Sequence, residues 1–258
     1  MTALAAVQDW PSLRDRVSSA EWEARIELAA CYRAMDHFGW TDLIYTHISA
    51  RVPGPERHFL INPLGTMFDE ITASSLVKID LDGEPVGDNT HEVNRAGFVI
   101  HSAIHAARAA AKVVIHAHTD ANMTISMLEC GLRPLSQHAL HFYGATSYHD
   151  YEGFALDTEE RQRLVADMGD NPVMILRNHG VLVAAETVGH AFVMLFHFER
   201  ACRAQLAAMA TREALIEPSE DVCRSVADFA LSEASPLGVW DWPAVIRLLD
   251  RKDPSWRD

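Results

Sequence analysis

Three observations predict one α/β domain with helices laid over a sheet. Short β-branched runs alternate with helical periodicities along the chain, with no internal repeat. Turn residues such as Pro53-Gly54-Pro55, Asp82-Gly83 and Gly169 punctuate the changes of period. The chain has 258 residues, 48% hydrophobic and 22% charged, enough to bury one large core without disulfides or structural metal.

Residues 1–17 read as a lightly ordered lead-in. Ser18-x-x-Glu21 then has the form of a capping box, ahead of a helix carrying Trp22, Ile26, Ala29 and Met35 near helical spacing and ending at Phe38, before Gly39. Strands follow at Tyr45–Val52, His58–Asn62 and Leu76–Asp82. Asn94–Ala111 has apolar residues every three to four positions and a second stripe of Phe98, His101, His105 and Arg108, so it is a helix. Lys112–Thr119 is a strand, and Asp120–Glu129 a helix stopped by Gly131. A helix from Asp157/Thr158 closes at Gly169, and two short buried strands, Pro172–Leu176 and Val181–Ala185, flank Arg177-Asn178-His179-Gly180. A long helix from Thr187 to Leu215 completes a domain over residues 18–216. Residues 217–258, with Trp240, Trp242 and Trp256, form an extension that packs on this domain or on a neighbouring subunit.

The formal net charge of −14 repels polyphosphate, and no basic run exceeds Arg251-Lys252, so a nucleic-acid partner is not expected. Apolar runs such as Ala191–Phe196 are too short to span a bilayer, and the first residues lack a signal-peptide pattern. Cys31, Cys130, Cys202 and Cys223 are scattered, as expected for reduced thiols in a cytoplasmic protein.

Histidine is the unusual count, at 14. His116-Ala117-His118 follows Val113-Val114-Ile115, and in a strand residues i and i+2 share a face, so two imidazoles stand side by side. The residues alone leave two readings open: donors to one cation, or a solvated or core-satisfied pair. A third ligand would favour the cation, because three histidines and one open position recur in catalytic zinc sites. His179, in a tight turn between apolar strands, is the best candidate, though it also reads as an ordinary turn histidine.

Together these segments resemble the class II aldolase/adducin-head family. The resemblance rests on Leu60-Ile61-Asn62-Pro63-Leu64-Gly65, Phe68-Asp69-Glu70-Ile71-Thr72, Asp80-Leu81-Asp82-Gly83 and Ala96-Gly97-Phe98 through Arg108. It continues through Val114-Ile115-His116-Ala117-His118-Thr119, Leu135-Ser136-Gln137, His149-Asp150-Tyr151-Glu152-Gly153, Leu176-Arg177-Asn178-His179-Gly180 and Glu199-Arg200-Ala201-Cys202. It implies a single-domain three-layer α/β/α fold with a central, mainly antiparallel sheet, often in a homotetramer with sites near subunit interfaces. It further implies one divalent metal per subunit, zinc foremost with manganese, cobalt or iron as alternatives, held by His116, His118 and His179. Family members include sugar-phosphate aldolases, an epimerase, decarboxylases, a few iron oxygenases and the non-enzymatic adducin head.

The chain departs from the sugar-phosphate aldolases where these carry two serines and a catalytic glutamate. Arg95, Ala96 and Gly97 stand there instead, while Thr46-His47-Ile48-Ser49 and Pro63-Leu64-Gly65 replace two further phosphate-binding elements. A non-phosphorylated, carboxylated or hydroxy-keto substrate is therefore expected. Arg95, His47 and Arg51 are offered to its carboxylate, with Asn62, Gly65 and Gln137 as further substrate contacts. Without that glutamate a carbon acid has no evident base, whereas decarboxylation reaches the same electron-rich enolate, stabilised by the metal, by expelling CO2. Glu92 could supply a displaced carboxylate, which keeps aldol cleavage open. His138 and Tyr151 are put forward as proton donors, and His101 and His105 as groups lining the cleft. The expectation is thus a metal-dependent carbon–carbon lyase, decarboxylation first. The alternatives are a non-heme iron oxygenase or a non-catalytic adducin-head-like interaction module.

Overall fold

Ser18 starts the first helix, α1 (Ser19–His37), with an extended backbone that lets its hydroxyl accept the Glu21 N–H at 3.1 Å. Only this half of the capping box forms. The Glu21 carboxylate turns to the buried Arg25 at 2.9 Å and to Lys78 at 2.8 Å. The Arg25 guanidinium also donates to the Ala73 and Leu76 carbonyls, tying α1 to the chain that enters the third strand. The computed structural model describes residues 10–87, 91–153 and 159–258, with the side chains of Arg95 and Ala96 also outside the description. The helix start expected at Asp157/Thr158 lies outside the described residues.

Seven strands form one sheet: β1 (His47–Arg51), β2 (Phe59–Ile61), β3 (Val77–Ile79), β4 (Val113–Ala117), β5 (Thr146–His149), β6 (Val173–Leu176) and β7 (Gly180–Ala185). Their order is β3-β2-β1-β4-β7-β6-β5, and every neighbouring pair is antiparallel except β5–β6. The remaining helices are α2 (Arg95–Ala107), α3 (Asp120–Ser126), α4 (Gln137–Leu140), α5 (Glu160–Met168), α6 (Val188–Ala210), α7 (Glu220–Ala230) and α8 (Asp241–Lys252). Edge strand β5 escaped the sequence reading because Thr-Ser-Tyr-His has no apolar alternation.

Period-two alternation divides the strand side chains between two cores. Ile48, Ala50, Ile115, Ile175 and Val183 pack with α1 and α6 on one face. Val114, Met174, Leu182 and Ala184 pack on the other with Ile100 and Ile104 of α2 and Leu164 and Met168 of α5. The result is the three-layer α/β/α arrangement. The β1–β4 register pairs His47 with His116 and Ser49 with Val114, so these polar residues share the α2 face of the sheet. Their fit there depends on what α2 presents to them.

The residues after 217 are helical rather than a loose tail. Trp242 of α8 packs on Phe192 with ring centroids 5.3 Å apart, against Gly189, where a Cβ would lie 2.7 Å from the indole. Its Nε1 donates to Glu27 at 2.5 Å, and Trp256 is fully buried in the α1/α6 core, whereas Trp240 is 76% exposed. Among the described residues no helix is long and apolar enough to cross a membrane.

Candidate metal centre

His116 and His118 leave the end of β4 two residues apart, as the strand period requires. His179 arrives from the turn between β6 and β7. Asn178 there takes φ +57°, a left-handed value that asparagine tolerates, and the His179 N–H bonds back to the Leu176 carbonyl at 3.1 Å. Gly180 is the next residue because nothing larger fits: a Cβ would lie 2.5 Å from the Ala117 carbonyl oxygen and 2.9 Å from the His118 ring. This close approach brings the His179 ring centroid to 4.8 Å from those of both His116 and His118. One donor atom from each of the three lies within 4.8 Å of the others.

Hydrogen bonds settle which nitrogens face inward. His116 Nδ1 donates to the Val181 carbonyl at 3.1 Å, and His118 Nδ1 meets the Asp42 carboxylate at 2.9 Å. Both Nε2 atoms are thereby turned toward each other, 2.7 Å apart. Neutral rings so anchored oppose two lone pairs, an arrangement that a shared cation relieves. Burial holds His179 down at about 4, and burial first, then the neighbouring histidines, holds His116 well below its ordinary value. Neutral imidazole is the form that ligates, so the donor set fits a divalent metal.

His47 is buried beside this trio, its ring centroid 5.0 Å from that of His116, and its Nδ1 lies 2.9 Å from His101 Nε2. It occupies the room a side chain at position 97 would need, since a Cβ on Gly97 would fall 2.6–2.8 Å from its ring atoms. Gly97→Ala is therefore expected to displace the His47 ring and lower the melting temperature by several degrees, as overpacking does; calorimetry with histidine NMR would detect both. Asn62 lies at the same end of the sheet, because continuing the β1–β2 register sets it opposite Ile48, and its Oδ1 accepts the Tyr32 hydroxyl at 2.8 Å. Gly65, at φ +87°, shapes the turn beyond, where the Leu64 N–H bonds to the Glu92 carbonyl; the Glu92 side chain is exposed. Tyr151 stands half-exposed, its ring 6.2 Å from that of His179.

Other expected contacts are not brought together with the trio. Arg51 is at the opposite end of β1, four residues and roughly 13 Å from His47 at the rise of a strand, and its guanidinium donates to the His105 carbonyl. Arg95 begins α2, but its side chain lies outside the described residues. Gln137 and His138 are on α4. The His138 ring neighbours are His197 at 4.8 Å and His141 at 6.3 Å, so within one chain Tyr151, not His138, approaches the trio. Asp42 and Ser49 were missed by sequence reasoning. Asp42 is 76 residues from the histidine it orients, and no local pattern signals such a pairing.

The family model for the class II aldolase and adducin N-terminal domain matches residues 26–206. The chain belongs to the class II aldolase and adducin family. An aldolase II superfamily protein from Pseudomonas syringae superposes with a TM-score of 0.91 at 51% identity, covering 96% of this chain and 100% of that one. An aldolase class 2 protein from Caulobacter vibrioides is 46% identical over 251 residues, 96% of each chain. Alpha-adducin of Rattus norvegicus is 45% identical over 190 residues, 72% of this chain and 26% of that protein. The fold is also similar to that of an L-fuculose 1-phosphate aldolase from Glaciozyma antarctica, with a TM-score of 0.82 at 24% identity over 97% of this chain and 96% of that one.

Proposed function

We propose that this family member is a metal-dependent lyase that breaks a carbon–carbon bond in a small, non-phosphorylated hydroxy- or keto-carboxylate, foremost by decarboxylation. The observation that carries this reading is the trio of His116, His118 and His179, with the first two anchored through Nδ1. These residues would hold a divalent ion, zinc before manganese, cobalt or iron, which when bound supplies Lewis acidity worth several kcal/mol to negative charge developing on a substrate oxygen. Asp42 and the Val181 carbonyl keep the two rings oriented. His47, not a carboxylate, fills the space beside Gly97, so among the described residues no carboxylate stands there as a carbon-acid base; loss of CO2 requires none. Tyr151, with its ring 6.2 Å from that of His179, would return a proton to the product carbon. Arg51 is turned away from the trio to the His105 carbonyl, and Arg95, at the start of α2, is offered to the substrate carboxylate.

The aldolase names among its relatives support the lyase class, and the adducin likeness supports the competing view of an interaction module. A homo-oligomer, a tetramer by analogy with the family, with sites near subunit contacts belongs to this reading, and Leu43 and Tyr45, exposed just after Asp42, would lie at such a contact. Elemental analysis of the native protein, then a screen of keto and aromatic carboxylic acids for CO2 release with and without oxygen, tests the reading. The expected result is one divalent ion per chain and CO2 release unaffected by nitrogen. Absence of stoichiometric metal would return the protein to an interaction role, and turnover confined to O2 and iron would make it an oxygenase.

A further inference from the structure

Behind His47 runs a file of hydrogen bonds that the reaction just described does not use. His105 Nδ1 is 2.8 Å from the Ala111 carbonyl, His105 Nε2 is 2.7 Å from Ser49 Oγ, Ser49 Oγ is 2.5 Å from His101 Nδ1, and His101 Nε2 is 2.9 Å from His47 Nδ1. His47, Ser49, His101 and His105 are all buried, between 0% and 2% exposed.

The file has one direction when its rings are neutral. A carbonyl only accepts, so His105 Nδ1 carries a hydrogen and its Nε2 is bare. The Ser49 hydroxyl must then donate to His105, which leaves its oxygen to accept from His101 Nδ1. His101 Nε2 is bare in turn, and His47 Nδ1 donates to it. His47 Nε2 ends the file as a lone pair, and no described residue bonds to it. A single extra proton would reverse every bond between these side chains, but among the described residues no carboxylate adjoins the file and the Arg51 guanidinium lies on the His105 carbonyl, so burial disfavours the cation.

We propose that Ser49, His101 and His105 hold His47 as a hydrogen-bond acceptor beside the metal trio, so that the site selects a ligand presenting a hydroxyl hydrogen there and rejects one presenting an anionic oxygen. His47 determines specificity, and the other three are positioning residues. The inference rests on the reading that a small molecule binds at His116, His118 and His179. It assigns the substrate's hydroxyl, rather than its carboxylate, to His47, reversing the role expected for that residue. A bare acceptor repels a phosphate or carboxylate oxygen, whereas an unmet hydroxyl in such a site costs binding.

Two measurements test this on the zinc-loaded protein. Titration calorimetry compares glycolate with methoxyacetate, which keeps the carboxylate and ether oxygen but lacks the hydrogen. The wild type should prefer glycolate by about tenfold more than His47→Phe does. Nitrogen-15 spectra of histidine-labelled protein, with the His47 signals assigned by their loss in His47→Phe, should show a protonated Nδ1 and a bare Nε2, with and without zinc. Ser49→Ala, which frees the His101 tautomer without touching the ligand site, should turn that pure state into a mixture. A protonated His47 Nε2, a zinc-ligand shift at that atom, or an unchanged preference in His47→Phe overturns the proposal. Failure of the trio looks different, since no variant would retain zinc or bind glycolate; that outcome removes this inference together with the reading beneath it.

Discussion

His116→Ala is expected to strip the protein of its divalent ion and of its turnover. If roughly 10–16 kcal/mol of metal binding is shared over four donors, one imidazole accounts for about 2.5–4 kcal/mol, or on the order of 10²–10³ in affinity. The loss at His116 should reach the upper end, because its ring is buried and has contacts with both other ligands. Asp42→Asn provides a graded comparison. It leaves all three nitrogens in place and weakens only the partner that orients His118, so metal affinity should fall about 10- to 100-fold. Competition against a zinc-chelating dye measures both, with circular dichroism confirming that the variants fold. One ion per chain retained in His116→Ala would contradict the assignment of the centre.

Acid should unfold the metal-free protein steeply between pH 6.5 and about 4. Burial, reinforced by neighbouring histidines, pushes His47 down to about 3, burial pushes His105 down to about 4, and His101 is held well below its ordinary value by the same cause. In the unfolded chain these rings take up protons from pH 6.5 downward, while the native state refuses them. Their stabilisation is therefore complete above pH 6.5 and is lost as the pH falls toward 4. Glu27 and Glu160 act in the opposite sense, because burial raises their carboxyls and the native state binds protons there first. His116, His179 and His197, lowered first of all by burial, add to the uptake in the metal-free protein, so the net expectation is at least two to three protons taken up on unfolding, about 3–4 kcal/mol per pH unit or more. Urea titrations in chelator at pH 7.0, 6.0 and 5.0 give this slope directly; a value below one proton would mean that the file is solvated or already charged in the native state.

The parts of this molecule that announced themselves were those governed by local periodicity. Val113–His118 showed both a strand and two imidazoles on one face, since a period of two places them there whatever lies around them. The helix of His101 and His105 was equally plain, and the lack of a side chain at Gly97 could be read as a missing carboxylate. What fills that space could not be read, because the β1–β4 register and the approach of α2 decide it, not any neighbour in the chain. The same holds for Asp42 behind His118 and for Ser49 between two rings of α2. Within one chain His138 stands apart from the trio for a related reason: a count along the chain could not see that α4 lies on α6, which sets that ring beside His197. The two closing helices hid behind a low apolar density, and only Trp242 and Trp256 hinted that they dock.

Gly180 gives a way to sort relatives of this chain. With the Ala117 carbonyl oxygen 2.5 Å from where its Cβ would be, even a methyl group must pry the β6–β7 hairpin off its neighbour and carry His179 away from its two companions. A homologue could therefore keep every ligating histidine and still have lost the ion through one added carbon. Reading that position beside the three imidazoles would divide working enzymes from structural descendants more sharply than the histidines alone.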